Sequence, residues 1–330
     1  FEYMKISSKA KKTKTGQYQT SEDALEQYKN DHPIISLILE YRQCKKLKST
    51  YVDPLPNLIL QKDQRVHSHF MQTVAATGRL SSNNPNLQNI PIRTDKGKEI
   101  RKAFIARNED YVLMAADYSQ IELRIIAALS GDSSMIQAFK EGKDIHAATA
   151  SNVFHVPLDE VSREQRSAAK AVNFGIIYGQ SAFGLAQNLN ISRTEAKQII
   201  DAYFAQYGTI KTYMDKVIQD ARELGYVETI MKRRRYLPDI NSANAVVRGY
   251  AERNAINAPI QGSAADVIKL AMIAVDKAMT KAKVKSKMLL QVHDELVFDV
   301  HISEKEQMQK LVIEAMENAI HLPVPMEVEA

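Results

Sequence analysis

Residues 288–300, Met288-Leu-Leu-Gln-Val-His-Asp-Glu-Leu-Val-Phe-Asp-Val300, constrain the chain more than any other stretch. Two apolar runs, 288–292 and 296–300, flank the polar pair His293-Asp294. Successive strand side chains alternate, so Leu296, Phe298 and Val300 share one face and Val297 and Asp299 the other. The pattern predicts a β-hairpin with a tight connection. A primed two-residue turn prefers Asn-Gly or Asp-Gly, because its backbone needs positive φ. Asp294 stands where such a turn would favour Gly, either as a polar hairpin tip or because the carboxylate has a task.

A second stretch runs Tyr111-Val-Leu-Met-Ala-Ala-Asp-Tyr-Ser-Gln-Ile-Glu-Leu-Arg124. Its first six residues are apolar and of strand length, and residues 120–129 have helical composition. Asp117 therefore falls at a strand-to-helix junction, as a supported functional carboxylate or as an ordinary helix N-cap. The third stretch, 162–179, opens with Ser162 and Gln165 in capping-box spacing and closes on Gly179 as a helix stop. Between them Arg166, Lys170 and Phe174 recur every fourth residue, so two cations and one ring share a helix face. Two cations one turn apart suit a polyphosphate; a solvated basic face is the plainer alternative, and Phe174 on the same stripe argues against it.

Asp117-Tyr-Ser-Gln-Ile-Glu-Leu-Arg124, Arg166-x3-Lys170-x3-Phe174-Gly-x2-Tyr-Gly179 and Val292-His-Asp-Glu295, in that order and spacing, resemble the three polymerase motifs of family A DNA polymerases, most closely the bacterial DNA polymerase I type. The resemblance covers nearly the whole chain. It implies an α+β right-hand polymerase fold, with an antiparallel palm sheet, helical fingers and a partial helical thumb. On that reading residues 1–55 are partial thumb, 56–130 the first part of the palm, 131–240 fingers and 241–330 the rest of the palm. The implied activity is template-directed DNA synthesis in replication and repair, by transfer of deoxynucleotides from dNTPs to a primer 3′ end with release of pyrophosphate. Implied partners are primer–template DNA and dNTPs, with no membrane, for a monomer in the cytoplasm, associated with the bacterial nucleoid.

The same resemblance assigns the site. Two Mg²⁺ ions, with Mn²⁺ as a substitute, would be held by Asp117, Asp294 and the backbone carbonyl of Tyr118; hard cations take oxygen donors and keep places for phosphates. Arg166, Lys170 and His146 belong with the triphosphate, Lys170 also assisting the leaving group. Phe174 packs on the deoxyribose, Tyr178 on the nascent base pair or the template base with Gly175 and Gly179 allowing close approach, and Glu122 and Gln120 lie beside the substrate. Arg79, Gln88, Arg253, Asn257, Gln261 and His293 are the expected DNA contacts. Single-subunit phage-type RNA polymerases share the Asp, Arg-x3-Lys and His-Asp pattern, but Glu122 would crowd a 2′-hydroxyl. A folded, inactive DNA-binding fragment is a third reading.

The bulk properties agree with these expectations without demanding them. At 330 residues, 45% apolar and 25% charged, the chain has enough material for two or three lobes with a sizeable core. A net charge of +5 permits a polyanionic partner. The single cysteine, Cys44, excludes an internal disulfide framework and fits a reducing compartment. No His/Cys pattern of zinc type occurs. No apolar run approaches membrane-span length and no signal peptide opens the chain, and Phe1 at the start marks a fragment or a processed chain.

Along the chain, Lys9, Lys11, Lys12 and Lys14 make the start basic; a short helix is expected at 21–29 and a longer one at 33–51, with Ile34, Ile35, Ile38, Leu39 and Leu47 inward. Asp53-Pro-Leu-Pro56 reads as a linker, 66–74 as a strand, and 83–91 as irregular. Residues 131–240 are predominantly helical. Two residues depart from the family pattern: Ala147, where a basic residue commonly follows the His, and Lys232, where a Gly commonly precedes Arg233-Arg-Arg-Tyr-Leu-Pro238. A helix over 244–258 is expected to break at Pro259, which clashes with the Ala255 carbonyl, and to restart at Ser263 with Asp266.

Overall fold

The computed structural model describes residues 1–7, 10–92 and 94–330; Lys9 of the basic N-terminal stretch lies outside them. The chain divides into two compact units, Phe1–His69 with Ser82–Phe104, and Phe70–Ser81 with Ile105–Ala330.

The first unit is built from short pieces around a small core of Leu25, Ile35, Tyr51 and Leu87. The expected helix at 21–29 spans only Glu22–Glu26. The longer one is an α-helix over Pro33–Leu47 that relaxes into a π turn over Lys48–Val52. Of the five apolar residues expected inward on it, only Ile35 is fully buried, because so small a unit has little core to offer. Residues 53–56 are not a linker: Pro54 opens a one-turn helix, Pro54–Asn57, where its missing N–H costs nothing. The expected strand at 66–74 is broken into pieces at Arg65–Val66 and His69–Met71. Of the run 83–91 expected to be irregular, Asn83 ends a short strand, Ser81–Asn83, and 84–91 are irregular, held by buried Ser82, whose Oγ accepts from the Leu87 amide at 3.0 Å.

The second unit carries a four-stranded antiparallel sheet. Its strand order is Val328–Glu329, Tyr111–Tyr118, Glu295–His301, Lys287–Val292. The hairpin read from 288–300 is present, with Val292 opposite Glu295 and a two-residue connection. Leu296, Phe298 and Val300 are fully buried, which is the face the alternation selected. Asp299 on the opposite face is also buried, neutralised by Arg107 Nε at 3.1 Å. Helix Ile121–Ser130 follows the central strand and buries almost its whole first two turns. Residues 131–240 are predominantly helical, as expected, apart from two short paired strands at Tyr226–Glu228 and Arg234–Tyr236.

The sequence expectation fails at Pro259. One helix runs unbroken from Ala245 to Ala282 with Pro259 inside it. An internal proline costs about 3 kcal/mol, and here burial on both sides of it outweighs that cost. Ala255, Ala258, Ile260, Ala264 and Ala265 are all buried. Gly262 lets the backbone lie against Thr229 and Thr77, where a Cβ would meet Thr229 Cγ2 at 2.6 Å. Ser263 is not a new N-cap; its hydroxyl bonds the Pro259 carbonyl at 2.5 Å and accepts the Ile230 amide at 2.9 Å. This helix is also long and apolar enough to cross a membrane, contrary to the expectation from sequence, yet 61% of its most apolar window is buried inside the protein. It is a core helix.

Candidate active site

The central strand presents Asp117 at its end, and the two neighbouring strands set a carboxylate on either side. Asp117 is register partner to Glu295 on one strand and to Glu329 on the other. Directly opposed residues share a sheet face, so three acidic side chains stand in a row. Like charges so placed are destabilising. Asp294 is added by the hairpin turn, whose main-chain carbonyl accepts the Tyr118 amide at 3.2 Å.

The turn achieves this differently from the sequence reading. The residue in the left-handed region is His293, with φ 55°, and not Asp294. A left-handed L-residue costs roughly 1–2 kcal/mol, and buried Gln291 secures the turn by donating from Nε2 to the His293 carbonyl at 2.6 Å. A second residue at this end is also left-handed. Gln120 (φ 55°) caps helix Ile121–Ser130 without a side-chain bond, and its Oε1 is buried with no partner. Strain and an orphaned polar atom on either side of Asp117 mark a place shaped for something other than stability.

Asp117, Tyr118, Ser119, Gln120, Asp294 and Glu329 form one wall of a cavity of about 280 Å³; His146, Lys170 and Phe174 form the other. Withdrawal from bulk water, then repulsion from Asp294, Glu295 and Glu329, pushes the Asp117 carboxyl up to about 7. Burial likewise raises Asp294, opposed by its own amide, His293 and Arg79. The donor set is therefore hard, anionic and short of positive charge. That suits Mg²⁺. The Tyr118 ring is buried, its hydroxyl donating to the Met316 carbonyl at 2.6 Å. No cluster of three or more His, Cys, Asp or Glu side chains with metal-binding geometry occurs among the described residues.

The opposite wall is helix Arg163–Ile177. Its Ser162–Gln165 capping box is closed on both sides, and the chain leaves it through Gly179 at φ 69°. Arg166 donates from Nε to Asp144 at 2.5 Å. Burial would raise the Asp144 carboxyl, but Arg166 and the amides of Ala147 and His146 prevail and hold it low. Asp144 accepts those two amides as N-cap of helix Ile145–Phe154, which places His146 in the first turn. The Phe174 ring lies 5.9 Å from His146 and 6.2 Å from Tyr178, stacked on the latter.

Glu122, only 7% exposed, is held at both oxygens. Arg79 donates from Nη2 at 2.5 Å and the Tyr178 hydroxyl donates to the other oxygen. Arg79 is set by its neighbours, since Arg233 lies against Gly78, where a Cβ would meet Arg233 Cζ at 2.5 Å, and donates to the Thr77 carbonyl at 2.6 Å. The close approach expected at Gly175 is made by the protein itself, where any Cβ would fall on Gln180 Oε1. Arg253 packs on Gly179, and Asn257 reaches the Tyr178 carbonyl at 3.5 Å with its Oδ1 buried and unpartnered. Gln261, Arg253 and His293 do not line the cavity. Gln88 belongs to the first unit, where its side-chain Oε1 accepts the Ser82 amide at 3.0 Å.

Sequence reading missed Glu329, Asp144 and Asn173. Glu329 becomes visible only when the last strand pairs with a strand more than two hundred residues earlier. Asp144 followed by His146 carried a cap signature, but nothing local paired it with Arg166.

The end of the sheet thus carries several carboxylates and faces, across a cavity, a helix that offers cations and an aromatic ring. The chain belongs to DNA polymerase family A, whose family model matches residues 1–330. It is 55% identical over 317 residues to DNA polymerase I of Streptococcus pneumoniae serotype 4, covering 96% of this chain and 36% of that protein. DNA polymerase I of Bacillus subtilis strain 168 is 50% identical over 319 residues, with coverage of 97% and 36%. The chain thus spans about a third of the length of these relatives. Among solved structures, the POL domain of Pol1 from M. smegmatis, in complex with DNA primer-template and dNTP, superposes with a TM-score of 0.92 at 52% identity, over 97% of this chain and 56% of that one.

Proposed function

We propose that this chain carries out template-directed DNA synthesis, adding deoxynucleotides from dNTPs to a primer 3′ end. The observation that carries the proposal is the single cavity in which Asp117, Asp294, Lys170, His146 and Phe174 converge. In this reading the lobes are a partial thumb (1–55), a palm (56–130 and 241–330) and fingers (131–240). The donor set fits two Mg²⁺ ions held by Asp117, Asp294 and the Tyr118 carbonyl, with Mn²⁺ as a substitute; when bound they supply charge neutralisation at the attacking and leaving oxygens.

The protein's own groups do the rest. Lys170 and Arg166 lie on one helix face and take the triphosphate, Lys170 nearest the cavity and able to assist departure of pyrophosphate. His146, neutral because burial pushes it down to about 4, with Arg166 and Lys170 in support and Asp144 opposing, offers hydrogen bonding without charge. Phe174 packs on the deoxyribose, and Gln120 lies on the opposite wall. Glu122 fills the space beside the sugar and is kept there by Arg79 and Tyr178, so a 2′-hydroxyl would have to displace a paired, buried carboxylate. Disrupting such pairing discriminates more strongly than a missing methylene. Tyr178 meets the nascent base pair, while Arg79, Gln88, Arg253, Asn257, Gln261 and His293 contact primer and template. Many of these are amide and guanidinium donors, suited to acceptors shared by all base pairs in the minor groove.

Primer extension by this chain, with deoxy- and ribonucleotides in parallel, tests the reading. Deoxynucleotide addition is expected, reduced to background by Asp294→Asn with primer–template affinity retained. Lys170→Ala should raise the nucleotide KM far more than it weakens duplex binding. Extension unaffected by Asp294→Asn overturns the assignment.

A further inference from the structure

Behind His146 lies a polar chain that the reaction as described does not use. Asn173 sits on the same helix as Lys170 and Phe174 but faces inward and is completely buried. Its Nδ2 is 2.9 Å from Nδ1 of His146. Its Oδ1 is 3.1 Å from the hydroxyl of Thr149, also fully buried. The Thr149 hydroxyl proton is shared between Asn173 Oδ1 and the Ile145 carbonyl, which it reaches at 2.8 Å, and the hydroxyl is also bonded to that of Tyr207. Asn173 Oδ1 thus faces a hydroxyl donor and its Nδ2 faces His146.

A buried asparagine beside a histidine is an expensive arrangement unless every polar atom is used. Here the use is specific. A neutral imidazole carries one proton on either nitrogen, and the hydrogen bond at one nitrogen decides the other. Asn173 Nδ2 can only donate. It therefore leaves Nδ1 of His146 as the acceptor and the proton on Nε2. His146 lines the cavity and is only 2% exposed, so Nε2 is the one ring nitrogen that can meet a ligand there. A lone pair at that place would repel a phosphate oxygen, whereas an N–H attracts it.

We propose that Asn173, held by Thr149, is a positioning residue that fixes His146 in its Nε2–H form and so makes it a hydrogen-bond donor to the incoming triphosphate. The donor role rests on the function proposed above; the choice of tautomer rests only on the buried geometry. The same device orients the ring, because Asn173 is anchored in the helix that carries Lys170. Nucleotide-binding cations and His146 are thus aligned by one element. Asn173 turned end for end would give the opposite result, with Nδ1–H donating to Oδ1 and a lone pair facing the phosphates.

The test has two parts. First, nitrogen-15 NMR of histidine-labelled, nucleotide-free protein near pH 7.5, with the His146 signals identified by their loss in His146→Gln, reads the tautomer directly. Protonated Nε2 with unprotonated Nδ1 is expected; protonated Nδ1 overturns the proposal, whether or not any variant folds. Second, steady-state extension compares Asn173→Leu, His146→Ala and the double variant. Loss of a hydrogen bond to a charged oxygen should raise the dNTP KM by roughly tenfold to a hundredfold in either single variant, with primer–template Kd unchanged, and the double variant should be no worse than His146→Ala alone. Effects that add, or an Asn173→Leu defect that spares KM, overturn the positioning role. If His146→Ala itself leaves nucleotide use intact while the Nε2–H form is seen, the reading of the site fails and the tautomer assignment stands.

Discussion

Replacing Asp117 by Asn should stabilise the ion-free protein while removing its activity. Withdrawal from bulk water, then repulsion from Asp294 and from Glu295 and Glu329 in the same row, pushes the Asp117 carboxyl from the ordinary value near 3.8 up to about 7. At about 1.4 kcal/mol per tenfold change in proton affinity, that corresponds to roughly 4 kcal/mol. Asp117 is open to the cavity, so solvent screening reduces the figure to about 1–2 kcal/mol. The sign follows from proton binding. Between pH 4 and 7 the folded protein holds a proton at this site that the unfolded chain has lost, so stability falls as pH rises through that window. Asparagine keeps the shape and has no charge to repel. In a chelating buffer, urea unfolding should therefore show Asp117→Asn more stable than the unmodified protein by about 1–2 kcal/mol at pH 8, and nearly equal to it at pH 4. Millimolar Mg²⁺ should narrow the gap, since it binds only the intact carboxylate pair. Equal stability at pH 8, or a difference independent of pH, would refute the argument from charge burial and repulsion, and with it the reason for placing cations here.

Three further outcomes are expected. Glu122→Ala strips Arg79 and Tyr178 of their shared acceptor, so ribonucleotide incorporation should rise relative to deoxynucleotide incorporation while deoxynucleotide addition slows; competition assays read both. Lys232 occupies a left-handed position, φ 62°, in the turn before Arg233, and its exposed pairing with Glu228 at 3.6 Å is worth little; Lys232→Gly should stabilise by about 0.5–1 kcal/mol in thermal unfolding. His146, held neutral with its value near 4, must gain its proton on unfolding in mild acid, so stability should be lost as pH falls from 6.5 towards 4, by up to about 3 kcal/mol. His146→Gln should lose less over the same range, and parallel pH profiles for the two proteins would count against the buried neutral ring.

What could be read from the sequence was whatever chemistry repeats at short range. The capping box at Ser162, the stop at Gly179, the strand ending at Asp117 and the hairpin at 293–294 each depend on residues within a turn or two of one another, and each is present. Even the departure noticed at Lys232 has a local cause, since the structure asks that residue for the conformation a glycine adopts freely. Failures fall where a distant partner decides. Pro259 obeys its local rule in losing a hydrogen bond, but the helix face it interrupts is buried against Thr229, Arg233 and Thr77, and packing of that kind is invisible from residues 244–266 alone.

The same distinction explains the site itself. Asp117 and Asp294 could be suspected singly, yet both are raised by withdrawal from water, and Asp117 further by repulsion from Asp294 and from Glu295 and Glu329, which strand register brings alongside. Glu329 reaches that position because buried Arg124, one turn into the helix after Asp117, bonds the Pro325 carbonyl at 2.6 Å and Glu327 at 2.6 Å. The helix that begins at the carboxylate thus ties down the strand that perturbs it. A sequence motif names Asp117 and Asp294, and the fold supplies the burial and the neighbouring charges that perturb them.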